Sequence, residues 1–349
     1  CSDPDGLLVR STKIGERDLG SSLKAISRAG AGINNIPLTK CTERGIVVFN
    51  TPGANANAVK ELVLAGLMLS SRNVFSSINF VNNLKDLKNM NELEPFLEEN
   101  KKKFKGRELA GSVLGIVGLG SIGSKVAGMG VALDMKVIGY DPALSVEAAW
   151  KLPSQVEPEK SIEDIFSKAT FITLHIPAIE STKEIVNLNL LSKAKSASLL
   201  NFARHEVVNT DDVIAALVKK NLVNFITDFP TPTLIQRANE KGDVILLPHI
   251  GASTSQAEEN CAVMAVDQIK EFLETGNIIN SVNFPNISLP VTTNCRIAIT
   301  NKNVPAMIGQ IATRLGELGL NISDMGNVSR GEIAYNLIES YKGANISKK

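Results

Sequence analysis

The chain has 349 residues, room for two or three domains, and its 44% apolar and 21% charged residues are the balance of a globular protein. A formal net charge of +1 leaves no electrostatic footprint for nucleic acid or an anionic lipid surface. The longest apolar run, residues 62–69, is too short to span a bilayer, and no secretory leader is visible, so no membrane partner is expected.

Residues 6–70 alternate short apolar runs with turns. Residues 7–9 predict a strand, 19–26 a helix and 46–49 a second strand, with the turn Thr51-Pro52-Gly53 after it. Residues 57–69 predict a long buried helix without a polar stripe. In such folds a helix of this kind packs against a second subunit, so a homodimer or higher homo-oligomer is expected. Residues 82–108 are rich in Asn, Glu and Lys and predict a crossover between domains; Lys101, Lys102 and Lys103 read as a solvated helix face. The four cysteines, Cys1, Cys41, Cys261 and Cys295, have no metal-ligand spacing and read as reduced thiols of a cytoplasmic protein. The chain opens on Cys1 rather than Met, which suggests that its natural start is missing.

Residues 112–141 are the most informative stretch. An apolar strand at 113–117 runs into Gly118-Leu119-Gly120-Ser121-Ile122-Gly123, then a helix, then a strand at 136–140 that ends on Asp141. Gly118 permits a tight turn, Gly120 lets a pyrophosphate approach the backbone, and Gly123 lets helix and strand pack closely. The N–H groups of Ser121 and Ile122 open the helix and face an anion. Asp141, 23 residues after Gly118, suits the two hydroxyls of a ribose and repels a 2′-phosphate, which predicts NAD rather than NADP. From there the βα pattern repeats, with strands expected at 113–117, 136–140, 171–175, 197–201, 223–227 and 244–247 and helices between them, such as 161–167 and 211–219. This predicts a six-strand, Rossmann-type doubly wound parallel sheet. Residues 258–274 predict an amphipathic helix and 283–286 a linker. Beyond it, a strand at 296–300, a helix at 304–317 and strands near 321–327 and 332–339 predict a small α+β module.

Ligands of such sheets sit at the carboxyl ends of the strands. His249, in Leu247-Pro248-His249-Ile250-Gly251, follows the last strand, where its imidazole, with a pKa near ~6.5, suits the proton transfer that accompanies hydride removal from an alcohol. Arg204 ends another strand and can hold a carboxylate bidentately. His175, before Ile176 and Pro177, suits cofactor contact better than catalysis. A zinc site built from His175, His249 and a cysteine lacks any local ligand pair, so no metal is expected.

Together these stretches resemble the D-isomer-specific 2-hydroxyacid dehydrogenase family, and within it the branch that oxidises 3-phosphoglycerate and carries a C-terminal ACT domain. The resemblance rests on VRSTK at 9–13, RAGAGINNI at 28–36, GIVVFNTPGANANAVKELVLAG at 45–66, GLGSIG at 118–123, HIP at 175–177, NFAR at 201–204 and LPHIGAST at 247–254. It implies a Rossmann-type NAD-binding domain at 81–264, inserted in a smaller flavodoxin-like α/β substrate domain at 1–80 and 265–290, with a truncated ACT-like regulatory module at 291–349. It implies oxidation of 3-phosphoglycerate to 3-phosphohydroxypyruvate, the entry to serine synthesis, with His249 as acid/base and Arg204 orienting the carboxylate. Arg10, Ser11, Ala31, Gly32 and Asn55 match substrate contacts. Thr182, Phe202, Ala203, Asp228 and Gly251 join the cofactor set, with Asp228 facing the nicotinamide amide. Asn303 and Asn321 match positions that bind a serine effector.

The sequence also departs from the family. The glutamate that usually supports the catalytic histidine is absent from Asp228-Phe229-Pro230-Thr231-Pro232-Thr233, where Pro232 or Thr233 takes its place. His205 replaces a glycine after Arg204; if that position needs a positive φ, the strain of about 1 kcal/mol or more displaces Arg204. Set against the family, the first strand–helix unit of the substrate domain is expected to be largely missing from this sequence. The alternatives are a dehydrogenase of glyoxylate, hydroxypyruvate or D-lactate, and a catalytically weakened NAD-binding sensor or scaffold.

Overall fold

The computed structural model describes residues 3–84 and 89–342; the expectation for Cys1 falls outside them. The chain divides into two compact units, one taking the described residues up to Asn55 and from Ser255 onward, the other Ala56–Thr254.

In chain order the elements are β1 (Gly6–Val9), β2 (Ala25–Arg28), α1 (Leu38–Glu43), β3 (Val47–Phe49), α2 (Ala56–Arg72), α3 (Val74–Asn82), α4 (Met90–Asn100), β4 (Val113–Val117), α5 (Ser121–Ala132), β5 (Lys136–Tyr140), α6 (Val146–Trp150), β6 (Glu157–Pro158), α7 (Ile162–Lys168), β7 (Phe171–Leu174), α8 (Leu188–Leu191), β8 (Ala197–Asn201), α9 (Thr210–Val218), β9 (Leu222–Thr227), α10 (Pro232–Lys241), β10 (Val244–Leu246), α11 (Ser255–Thr275), β11 (Cys295–Lys302), α12 (Met307–Glu317), β12 (Leu320–Arg330) and β13 (Ile333–Lys342). Among the described residues no helix is long and apolar enough to cross a membrane.

The unit of Ala56–Thr254 is built on seven parallel strands in the order β10-β9-β8-β7-β4-β5-β6. The order reverses between β4 and β7, the switch point at which open α/β sheets bind ligands. Six of the strands coincide with the expected ones; β6, two exposed residues paired with Ile138 and Gly139, is an addition. The inner strands are buried on both faces, as β7 and β8 are along their whole length, which fits their unbroken apolar runs. Two apolar layers cover the sheet, one centred on Ile165, Phe166, Leu191 and Val213, the other on Val63, Leu67, Leu114 and Phe202.

The second layer explains the apolarity of α2. Its Val59, Val63, Gly66 and Leu67 are buried within this same unit. Gly66 lies so close to β8 that a Cβ there would come within 2.8 Å of the Leu200 side chain. These residues account for the inner face of α2, while Ala65 and Met68 on its other side are exposed; α2 groups with the large sheet rather than with β1–β3.

In the other unit β1, β2 and β3 form a parallel three-stranded sheet in that order. Helix α11 packs so closely on β1 that a Cβ on Gly6 would meet the Ile269 side chain at 2.8 Å. The helix expected at 19–26 is absent; β2 begins at Ala25, and the preceding segment is held open by Asp3. The Asp3 carboxylate accepts hydrogen bonds from Ser21 Oγ at 2.8 Å and from Ser22 N at 3.1 Å. The C-terminal strand, helix and two strands form as expected, in an antiparallel sheet of order β11-β13-β12. They share a core with β2 and β3, in which Tyr335 and Leu337 join Phe49, Ile278 and Phe284. Arg296 completes the junction: Nη1 donates to Glu339 Oε1 at 2.6 Å and Nη2 to Asn277 Oδ1 at 2.7 Å. Burial pushes the Glu339 carboxyl up, but hydrogen bonds from Thr293, Thr292 and Arg296 together outweigh it and hold the group below its ordinary range.

Candidate active site

The glycine loop sits at the switch point. Gly118 has a φ of +92°, and a Cβ there would fall 2.5 Å from the His175 carbonyl oxygen at the end of β7. A Cβ on Gly123 would fall 1.9 Å from the Gly118 carbonyl oxygen, so helix α5 can approach β4 only with glycine there. Gly120 differs from both: nothing lies within 4 Å of where its Cβ would stand. It is the N-cap of α5 and has no side chain to satisfy the first N–H groups of that helix. Asp141, at the end of β5, ties the loop down: Oδ2 accepts from Leu119 N at 2.8 Å and Oδ1 from Ala143 N at 2.9 Å. Each oxygen keeps lone pairs for further donors.

His175 is neutral here. Its Nε2 shares a 2.9 Å hydrogen bond with Thr173 Oγ1, its Nδ1 is buried without a partner, and burial pulls its pKa down to about 3. Thr182 closes the turn after Pro177, accepting from Ile179 N at 2.9 Å and donating to the Pro177 carbonyl at 2.6 Å. Past β8, the side chain of Asn201 grips the Phe202–Arg204 turn. Its Oδ1 accepts from Ala203 N at 3.1 Å and its Nδ2 donates to Arg204 O at 2.9 Å. Arg204 Nη1 donates to the Ala203 carbonyl at 2.6 Å, leaving the remaining guanidinium donors for a ligand. His205 is not among the residues with positive φ; it opens a short turn and pairs through Nδ1 with Glu206 Oε2 at 3.1 Å. The strain attached to replacing the glycine is therefore not incurred.

The loop after β10 is stapled to the end of β9. Leu247 N donates to Thr227 O at 3.0 Å, His249 N to Asp228 O at 3.0 Å, and Gly251 N to Asp228 Oδ2 at 3.0 Å. His249 holds a φ of +53°, a left-handed backbone that histidine tolerates better than most residues. Its ring is exposed and meets Phe229 edge-on, with centroids 5.0 Å apart and planes at 67°. Asp228 is 1% exposed, and its Oδ1 has no partner. Burial raises its pKa, opposed by the Gly251 N–H and the nearby His249 and Arg204. A cavity of about 420 Å³ opens beside these strand ends, lined by His205, Asp211, Phe229, Thr231 and Thr233 among others. Neither His249 nor the glycine loop lines it.

In the other unit, Arg10 follows β1 and its Nη2 pairs with Glu258 Oε1 at 2.7 Å. Ser11 follows it. The carbonyl of Ala31 accepts from Asn50 Nδ2 at 2.7 Å and that of Gly32 from Arg28 Nη1 at 2.5 Å. Asn55 lies in the turn that closes this unit's first segment. In the C-terminal module, Asn303 N donates to Glu332 O at 2.8 Å at the hairpin end of the sheet, whereas Asn321 pairs with Tyr341 at the other end. Eight residue steps along β13 separate Ile333 from Tyr341, roughly 26 Å at the usual strand rise, so one copy cannot close both asparagines around a single small amino acid. Arg28, Asn201, Phe229 and Glu258 are the residues the sequence did not single out.

This arrangement defines an α/β protein with a dinucleotide fingerprint at its switch point, an arginine past the end of β8 and a histidine past the end of β10, with β9 between the two strands. Two features fit the dinucleotide: the open space at Gly120 and the buried, unpartnered acceptor Asp228 Oδ1. Residues 75–251 match the NAD-binding domain of the D-isomer-specific 2-hydroxyacid dehydrogenases. The chain is 33% identical over 315 residues to D-3-phosphoglycerate dehydrogenase of Synechocystis sp., which covers 88% of this chain and 54% of that protein. It is 34% identical to hydroxypyruvate reductase of Thermotoga maritima, over 78% of this chain and 85% of the relative. The NAD+-bound crystal structure of 3-phosphoglycerate dehydrogenase from Entamoeba histolytica superposes with a TM-score of 0.63 at 31% identity, covering 81% of this chain and 83% of that one. The chain belongs to the D-isomer-specific 2-hydroxyacid dehydrogenase family, and its cofactor is NAD. It spans little more than half the length of the Synechocystis relative.

Proposed function

We propose that this chain oxidises a D-2-hydroxy acid with NAD, and that the acid is 3-phosphoglycerate, giving 3-phosphohydroxypyruvate at the entry to serine synthesis. The observation that carries the reading is the staple between β9 and the loop after β10. It holds an imidazole at the carboxyl edge of a dinucleotide-binding sheet, tied through its own backbone to Asp228, whose second oxygen is left open.

When bound, NAD supplies the hydride acceptor. The N–H groups of Ser121 and Ile122 would hold its pyrophosphate, with the open space at Gly120 leaving room for it, and Asp141 would accept from its ribose hydroxyls. Asp228 Oδ1, buried without a partner, would accept an N–H of the carboxamide. Phe202, Ala203, Thr182 and residues 175–177 would complete the cofactor contacts. Arg204 binds the substrate carboxylate and orients the carbon that loses hydride. His249 takes the hydroxyl proton as that hydride leaves, and returns it in the reverse direction. Arg10, Ser11, Ala31, Gly32 and Asn55 match substrate contacts of the family, and an arginine among them suits a second anionic group. That second contact favours phosphoglycerate over a small monocarboxylate, as do the relatives named for it.

The test is NADH formation at alkaline pH with 3-phosphoglycerate, compared by kcat/KM with D-lactate and, in reverse, with hydroxypyruvate and glyoxylate. A preference for an unphosphorylated acid overturns the substrate assignment. The packing of the His249 ring on Phe229, where family members place a supporting glutamate nearby, favours a second reading, an NAD-binding sensor. NAD binding by fluorescence without turnover of any of these acids would establish it.

A further inference from the structure

We propose that Glu258 is a built-in competitor for the anion site at Arg10, and that it sets how strongly a phosphorylated 2-hydroxy acid is preferred over an unphosphorylated one. The inference rests on the dehydrogenase reading above.

Strands β1 and β2 are parallel neighbours with Val9 opposite Arg28, so two arginines stand at adjacent carboxyl ends. They have different jobs. The Arg28 guanidinium is turned onto backbone: Nε donates to Arg10 O at 3.1 Å and Nη1 to Gly32 O at 2.5 Å. A Cβ on Gly30 would fall 2.8 Å from Arg28 Nη1 and one on Gly32 3.3 Å from it, so these glycines make room for that group. Asn35 Nδ2 adds bonds to Arg10 O at 3.2 Å and Thr12 O at 2.7 Å. Arg10 therefore stands on a fixed backbone at the position where open parallel sheets receive ligands.

Its side chain meets Glu258 through one contact, Nη2 to Oε1 at 2.7 Å, with the two side chains 49% and 51% exposed. A single-point, half-exposed ion pair is weak and exchanges readily. A phosphate monoester brings more charge and three acceptor oxygens, and displaces a lone carboxylate from a guanidinium. Glu258 lies in the first turn of α11, where the helix dipole favours a negative charge, so the displaced carboxylate has a favourable place to stay. An acid without phosphate leaves the pair intact. A phosphorylated one must break it and then bind beside the retained negative charge. Glu258 thus lowers the advantage that Arg10 gives to phosphate.

The experiment compares the wild-type chain with Glu258→Gln, Arg10→Ala and the double variant, using 3-phosphoglycerate, D-lactate and inorganic phosphate as a competitive inhibitor. Glu258→Gln should lower KM for 3-phosphoglycerate three- to tenfold at unaltered kcat, raise the phosphoglycerate-to-lactate ratio of kcat/KM by the same factor, and tighten phosphate inhibition in parallel. In the Arg10→Ala background the same substitution should have no effect on that ratio. An unchanged ratio, or an equal shift for both acids, overturns the proposal. If the wild-type chain turns over neither acid, the dehydrogenase reading fails separately. Calorimetric titration with 3-phosphoglycerate and with inorganic phosphate then decides: tightening by Glu258→Gln supports the competitor role, and unchanged binding by a variant with wild-type circular dichroism ends it.

Discussion

Asp228 and Gly251 are joined by one hydrogen bond, from the Gly251 N–H to Asp228 Oδ2 at 3.0 Å, and this leaves Oδ1 buried without a partner. Asp228→Asn preserves an acceptor for Gly251 and puts an NH2 group where Oδ1 was, opposite the carboxamide donor. Affinity for NAD should fall roughly 10- to 100-fold, the range for a lost hydrogen bond that leaves a buried group unsatisfied, about 1–3 kcal/mol. Titration of NADH fluorescence reads this directly. Folding should respond in the opposite sense. Burial raises the Asp228 pKa above its ordinary 3.8, so the native state holds the proton more tightly and stability is lost as pH rises through that window. The asparagine variant escapes that loss and should be as stable as wild type at neutral pH, or more so. Lower stability there would refute the account of this group.

Two glycines of one motif should behave oppositely. Gly123→Ala forces a Cβ to 1.9 Å from the Gly118 carbonyl oxygen, a backbone clash that cannot relax locally. A destabilisation of about 3 kcal/mol or more is expected by denaturant unfolding. Gly120→Ala meets no protein atom within 4 Å and keeps a φ of −65°, which alanine accepts. It should melt within a degree or two of wild type yet bind NAD at least tenfold more weakly, because the methyl group occupies the space left for the pyrophosphate. Equal NAD affinity in the alanine variant would remove Gly120 from the cofactor site.

The glycine motif was legible because each of its requirements is local: a positive φ, a close approach and an open N-cap within six residues. The strands of the large sheet were legible for a similar reason, since burial on both faces leaves unbroken apolar runs. Leu19, Leu23 and Ile26 mislead because their spacing suits a helix. What overrides it is Asp3, 18 residues from Ser21, whose carboxylate holds the Ser21–Ser22 turn and whose Oδ1 would lie 2.1 Å from a Cβ on Gly20. The site divides along the same line. His249, Arg204 and Asp141 stand at strand ends that the sequence marks. Glu258, 248 residues from Arg10, and Asn201, an ordinary strand residue in the sequence, act through contacts that only the folded chain creates.

His175 should govern part of the acid sensitivity. Its pKa is about 3 in the folded protein against an ordinary 6.5, so the unfolded chain binds the proton first. Stability is then complete above pH ~6.5 and is lost as pH falls toward ~3, by about 1.4 kcal/mol per unit and at most about 5 kcal/mol in all. Urea titrations at pH 7 and pH 5 should show wild type losing about 2 kcal/mol more than His175→Gln over that interval. Parallel losses in the two proteins would mean that the ring takes up its proton without cost.

His249→Asn separates chemistry from architecture. Asparagine is the residue that best replaces histidine at a φ of +53°, so the three bonds that staple the loop to β9 should survive. NAD affinity should stay within about twofold, because Asp228 Oδ1, Gly120 and Asp141 are untouched. Turnover should fall by a factor of about 10² to 10⁴, the usual contribution of a positioned general base, and kcat and kcat/KM should fall together, since the proton moves only in the transition state. Turnover within threefold of wild type in the asparagine variant would assign the proton transfer to another group. Phe229→Leu offers the complementary readout, because it loosens the ring edge-packed at 5.0 Å without removing the base. It should lower kcat by far less than His249→Asn does and leave NAD affinity unchanged; a loss as large as that of His249→Asn would contradict this role for the ring packing.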